Sequence, residues 1–440
     1  MIKLAASLLL TSQVALAQPN RGTGREVVVA PDGPVATITA ALAVAKDGDQ
    51  VRVRPGTYRE PTILVRQTVT ITGDSGAILD GTGTHAIMII SAPNVRVSGL
   101  TFRNTGVSQV EDRAALLVRE TSGCTIEHNR FEDTFFGIYL QRVNDCAVIW
   151  NTLHGTTTRQ TLGGNGIHTW QSNRVRIEDN RVRGHRDGIY FEFTTRGDVR
   201  RNVSEANQRY GLHFMFSDDC TYEGNTFQQN ESGVAVMYTR RVHMIGNTFA
   251  KNWGGAAYGL LLKEISDSEI RDNRFVENTV GLYLEGANRN RVSRNLFQSN
   301  GWGLRVLANA QENSIEGNSF LGNSFDVGTN SRQNYSTFSG NYWDRYRGYD
   351  LDRDGFGDVP FAPVRLFALV VEQTPPALIL LRSPVVDLLD FAERVMPVLT
   401  PQTLVDQKPR MSAPTRSEVR GQRSEKPTTS HQSPVTSHVR

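Results

Sequence analysis

"NTFQQNESGVAV" (225–236), "NRFVENTVGLYL" (273–284) and "NLFQSNGWGLRV" (295–306) are copies of one unit. Their shared pattern is N-x-F-x-x-N-x-x-G-Φ-x-Φ, where Φ is apolar. The first Asn recurs at 129, 151, 180, 202, 225, 247, 273, 295 and 318, in steps of 22, 29, 22, 23, 22, 26, 22 and 23 residues. The glycine recurs at 137, 166, 188, 211, 233, 259, 281 and 303. A period near 22 admits two solenoids. A leucine-rich repeat needs L-x-x-L-x-L, which is absent. A parallel β-helix coil needs short strands joined by tight corners, and Gly and Asn tolerate the left-handed angles found there. One Asn per coil can hydrogen-bond along the axis. Each coil buries its inward side chains only against its neighbours, so many coils are required.

The N-terminal part fits the same design. "ATITAALAVAKDGDQVRVRPGTY" (36–58) predicts a short helix, a turn at Asp47-Gly48-Asp49 and an alternating strand. The helix would cover the bare sheet edge of the first coil. This stretch and the repeats resemble the pectin-lyase-like right-handed β-helix superfamily over residues 27–345, a likeness that carries fold and not chemistry. The expected fold class is all-β: a right-handed parallel β-helix solenoid with a short N-terminal capping helix and a C-terminal apolar helical segment.

Bulk properties agree. The chain has 440 residues, 39 of them Gly, and only 8% aromatic content. That favours turn-rich β architecture over helical bundles. "MIKLAASLLLTSQVALA" (1–17) reads as a secretory signal cleaved after Ala17, with an apolar part too short to span a bilayer. The mature protein is therefore expected to be exported. Three cysteines are too few for a disulfide scaffold. Residues 401–440 carry seven Lys/Arg and three Asp/Glu. Without them and Lys3 the chain has 40 basic and 42 acidic residues, so the basic balance gives no nucleic-acid groove on the body. The expected division is 1–17 signal, 18–345 β-helix, 346–400 acidic turn and apolar docking segment, and 401–440 disordered basic tail.

With the coils in register, residues at equal offsets from the glycine stack about 4.8 Å apart. One after the Gly every residue is aliphatic, from Ile138 to Leu304, so that offset points inward. The next outward offsets hold His168, His213 and Ala235, then Met215 and Met237. His213, Met215 and Met237 thus share one outer patch on consecutive coils. Thioether sulfur suits Cu(I), and imidazole suits copper too. Without a thiolate, such a site can release its ion. His168, two coils from His213, is a further ligand candidate. The same spacing is also compatible with ordinary surface residues, or with a face covered by a loop. Met244 occupies an inward offset and reads as core. Cys124 and Cys146 share an offset in adjacent coils; inward stacked thiols and a disulfide are both open. Insertions at 154–164 and 253–257 flank these coils.

"NYWDRYRGYDLDRDGFGDVPF" (341–361) ends the repeats. Asp350, Asp352 and Asp354 before Gly355, with Asp358 after it, match the first half of a Ca2+ loop. Position 12 would be Phe361 and not Glu, which excludes an EF-hand and leaves an acidic capped turn as the alternative. Residues 365–398 are apolar but broken by Pro375, Pro376, Arg382, Pro384, Asp387 and Asp390, so no spanning helix fits. Two short amphipathic helices do, either closing the C-terminal end of the solenoid or docking onto a partner.

The signal, the repeats, "GLHFMFSD" (211–218), "GVAVMYT" (233–239), "NYWDRYRGYDLDRDGFGDVP" (341–360) and the apolar segment together resemble the NosD family, periplasmic maturation proteins for nitrous oxide reductase. The resemblance implies copper delivery to that reductase, not catalysis. It implies an ABC-type permease with its ATPase as partner, docked through the apolar segment, and a copper chaperone as donor. It supplies no ligand positions, so the Met/His patch rests on spacing. The competing class is a polysaccharide lyase or epimerase on acidic glycans. There Tyr139, Trp170, Tyr190 and Tyr283 would stack sugars, and Glu192, His213, Lys263 and Arg305 would do acid–base work. A third reading is a protein-binding scaffold without metal.

Overall fold

The computed structural model describes residues 24–108, 110–156, 161, 163–331, 333–396 and 399–413. Within them the repeats wind into parallel sheets of 14, 12 and 13 strands. The first sheet runs from Glu26–Val29 to Thr337–Ser339, the second from Ile63–Val65 to Phe325–Gly328, and the third from Gly56–Tyr58 to Tyr342–Trp343. Neighbouring strands in each sheet come from successive coils, which makes a right-handed parallel β-helix of about 14 turns.

Each part of the unit has a place. N-x-F opens a strand of the third sheet with its Phe inward; Phe249, Phe275 and Phe297 stack at 4.8 Å. G-Φ-x-Φ forms the second sheet. A Cβ on Gly233 would lie 2.4 Å from the Gly259 carbonyl oxygen, so only glycine lets adjacent coils approach there. The first Asn builds a buried axial ladder. Asn225 Oδ1 accepts from Asn202 N at 2.9 Å and Nδ2 at 3.0 Å, while its own Nδ2 donates to Val199 O and Asn247 Oδ1. The second Asn builds a parallel ladder from Asn207 to Asn323. These bonds satisfy buried corner amides that the sheets leave free.

The helix Ile38–Val44 is capped by Thr37 and packs Ile38, Ala41 and Leu42 against the first coil. Cys124 and Cys146 are inward, buried free thiols. Met244 is core.

The C-terminal region departs from expectation in its tail and decides against one of the two alternatives for its helices. The tail is not disordered from residue 401: residues 401–413 return to close the last coil. Buried Asp406 takes the place of the next ladder Asn. Its Oδ2 accepts from Asn341 N at 3.1 Å, Asn341 Nδ2 at 2.9 Å and Trp343 Nε1 at 3.0 Å. The helical segment, in turn, does not close that end. Helices Leu366–Gln373 and Pro384–Val395, with the 3-10 turn Pro375–Leu380 between them, lie on the outer face of the second sheet. Phe367, Ala368, Val371 and Val386 pack there with Val280, Trp302 and Phe325, and Arg305 pairs with Glu372 at 2.6 Å. The reason is local: the late coils present apolar residues outward, so the sheet face is a better apolar partner than the polar ladder end. The signal segment and residues beyond 413 lie outside the described residues.

Candidate metal site

The second sheet sets the site's register. His168 pairs with Tyr190, Tyr190 with His213, and His213 with Ala235; Met215 pairs with Met237 on the next strand. His213, Met215 and Met237 therefore stand on adjacent strands, as the glycine offsets require.

One expectation needs correction. His213 leaves the sheet on its outer face but does not reach solvent, being 5% exposed. Rings in one column at coil spacing stack and bury one another. Centroids are 4.5 Å apart for Tyr139–His168, 4.7 Å for His168–Tyr190 and 4.6 Å for Tyr190–His213. Tyr210 adds a tilted contact to His213 at 4.8 Å. Met215 and Met237 remain half-buried. Beside them runs an exposed aromatic stripe, Phe193–Phe216–Tyr238, with centroids 4.9 and 5.2 Å apart. The Tyr190 hydroxyl donates to Met215 Sδ at 3.4 Å.

Beneath the histidine lies a charge pair. Asp187 is fully buried, and Arg209 grips it with both arms, Nε to Oδ1 at 2.8 Å and Nη2 to Oδ2. His213 Nδ1 is 3.7 Å from Asp187 Oδ2 and 3.4 Å from Arg209 Nη2. Burial alone would raise the Asp187 carboxyl; the hydrogen bonds and charges of Arg209 and His213 outweigh it and hold the group at about 2. Burial pushes the His213 imidazole below its ordinary range against the pull of Asp187, so the ring is neutral near pH 7. His213 Nε2 and both ring nitrogens of His168 are buried without a hydrogen-bond partner. A neutral imidazole with an orphaned nitrogen, beside half-buried thioethers, fits a soft metal ion.

Asp187, Arg209 and Tyr190's link to Met215 were not read from the sequence as parts of a metal site. A signal existed: Asp187 stands immediately before a repeat glycine, where the other units carry uncharged residues.

At the C-terminal loop, Asp350, Asp352 and Asp354 offer oxygens within 4.8 Å of one another. Gly355 N donates to Asp350 Oδ2 at 3.0 Å, and Gly355 has φ 89°. Asp358 turns to the backbone instead, accepting from Leu351 N at 2.7 Å. Of the acid–base candidates, Lys263 pairs with Glu285 at 3.1 Å and Arg305 with Glu372, while Glu192 and His213 remain at the site.

This fold and site define a β-helix protein with a soft-donor patch on one sheet. The structure is similar to the catalytic unit of an α-1,3-glucanase of family GH87 from Streptomyces thermodiastaticus, with a TM-score of 0.60 at 15% identity over 76% of this chain and 71% of that one. At that identity the likeness is one of fold alone. Residues 151–348 match the model of NosD, described as a periplasmic copper-binding protein, and residues 29–244 match a family of unknown function. A probable ABC transporter binding protein NosD of Pseudomonas aeruginosa is 30% identical over 360 residues, covering 78% of this chain and 83% of its own. Its counterpart in Stutzerimonas stutzeri is 28% identical over 395 residues, covering 85% and 89%. The chain belongs to the NosD family.

Proposed function

We propose that the protein is a periplasmic accessory component that receives Cu(I) as cargo and passes it on for maturation of the copper sites of nitrous oxide reductase. A copper chaperone is its donor, and an ABC-type permease with its ATPase is its membrane partner. One observation carries the copper reading: a buried His213 with an orphaned Nε2 shares a strand with Met215, which pairs with Met237 on the next strand. Two thioethers and an imidazole bind Cu(I) without the grip of a thiolate, which suits transfer. His168 is the reserve ligand, linked through Tyr190. The partner reading is supported by the helical segment, which leaves Ile379, Leu388, Phe391 and Val395 exposed after packing its other face. No helix among the described residues is long and apolar enough to cross a membrane. Titration of the mature protein with Cu(I) against a competing chelator tests the cargo; failure to bind near stoichiometrically sinks it.

The convergence of Asp187, Arg209, Tyr190, Glu192 and His213 favours a second reading, lyase or epimerase action on acidic glycans. Turnover of a uronate polymer by the metal-free protein would establish it. A metal-free scaffold predicts partner capture with no copper dependence. The Asp350–Asp352–Asp354 loop is proposed as a structural Ca2+ site. Calcium that leaves the melting temperature unchanged, in the wild type and in Asp352→Asn alike, identifies an acidic turn instead.

A further inference from the structure

We infer that Asp187 and Arg209 are positioning residues for His213: the buried carboxylate faces Nδ1 and selects the tautomer that offers Nε2 to the metal. The inference rests on the copper reading above and deepens it.

Asp187 is out of place for a packing residue. Its position on the sheet pairs through Tyr210 with Ser232, and the equivalent positions of later coils hold Tyr258, Val280, Trp302 and Phe325. None of those carries a charge. Burying an ion pair is costly, and well-packed apolar residues commonly serve stability as well or better. A charge kept here therefore points to a role beyond packing.

The geometry supplies that role. A neutral imidazole has one N–H to place. With the proton on Nδ1, it faces Asp187 Oδ2 at 3.7 Å, and a slight ring movement brings it into hydrogen-bond range. The Nε2 lone pair is then free, and no group among the described residues hydrogen-bonds to it. With the proton on Nε2, a buried N–H is left unpaired and the Nδ1 lone pair faces a carboxylate. Arg209 Nη2, 3.4 Å from Nδ1, can turn its second N–H to the ring in this second form, but at that distance the bond is weak, and its first N–H holds Asp187 Oδ2, whose charge faces Nδ1 and favours a proton there. Arg209 thus fixes the carboxylate, and the carboxylate fixes the ring. Metal-bound histidines generally give their second N–H to such a partner. Tyr190 stacks on the ring and Tyr210 meets it at a tilt. Tyr190 also occupies one lone pair of Met215 Sδ and leaves the other for the ion.

The test uses full-length mature protein labelled with 15N-histidine, with the His213 signal assigned by its loss in His213→Gln. Long-range 15N–1H correlation reads the tautomer directly. The expected wild-type result, without copper, is the Nδ1–H form; an Nε2–H form overturns the inference with no mutant needed. Asp187→Asn keeps the shape but presents an amide donor to Nδ1. It is expected to flip His213 to Nε2–H and to weaken Cu(I) binding roughly 10–100-fold against a competing chelator. Loss of affinity in His213→Ala but not in Asp187→Asn overturns this inference and leaves the copper reading standing. Loss in neither overturns both. Should Asp187→Asn fail to fold, the wild-type tautomer alone decides.

Discussion

Asp406 ends a ladder of amides, and removing it should loosen the solenoid from that end. In Asp406→Ala three buried donors lose their acceptor: Asn341 N, Asn341 Nδ2 and Trp343 Nε1. An unpaired buried donor costs about 1–3 kcal/mol. Three of them give about 3–6 kcal/mol once water reaches part of the opened edge. Asp406→Asn retains one side-chain oxygen for all three donors. It forfeits the charge and the turn bond from Lys408 N at 3.1 Å, a loss of about 1 kcal/mol. The assay is urea unfolding, paired with native-state hydrogen exchange to locate the loss. Solenoid stability is a sum of neighbouring coils, so faster exchange should concentrate in Ser319–Leu321, Thr337–Ser339 and Tyr342–Trp343. An Ala variant within 1 kcal/mol of wild type would falsify the capping role, as would an Asn variant as damaged as the Ala one.

Met215→Leu with Met237→Leu keeps volume and apolarity, so the melting temperature should hold within a few degrees while Cu(I) binding is lost; retained affinity would make these residues ordinary packing. Ile379→Glu with Phe391→Glu should leave the fold intact and abolish capture by permease-bearing membranes, since both side chains are exposed at 89% and 60%; undiminished capture would move the docking surface elsewhere. Buried Asp326 has its carboxyl raised to about 6, chiefly by burial. Its native form holds the proton more tightly than the unfolded chain, so this contribution to stability is full below about pH 4 and is lost as the pH rises to about 6. Asp326→Asn should therefore raise the urea midpoint at pH 7.5 by the equivalent of about 2–3 kcal/mol and change it little at pH 3.5; an equal effect at both pH values would refute the assignment.

The fold was legible because one unit repeats. Asn and Gly at fixed offsets set which residues face inward, and the pairing of Met215 with Met237 followed from them. The closure was not legible, because Asp406 stands alone, 65 residues from its ladder partner Asn341, with no period to announce it. The burial of His213 escaped for a different reason. Alternation says which side of a sheet a residue leaves by, and nothing about the rings stacked above and below. Asp187 lies before the glycine, outside the two outward offsets read for ligands, and its partner Arg209 becomes a neighbour only when one coil is laid on the next.

The second sheet carries both the methionines and the helical segment without interruption. From the Met237 strand, Ser232–Arg240, to Phe325–Gly328, against which Phe367 packs, there are four strand steps. At about 4.8 Å each they span roughly 19 Å. The solenoid is thus a ruler graduated in coils. Duplicating one 22-residue unit between the two landmarks, such as 273–294, would shift them relative to each other by one graduation, whereas excising it would also remove Val280 from the face on which the helices pack. Under the proposed docking of these helices onto a permease, the number of coils, and no single side chain, would set how far from the membrane the cargo is held.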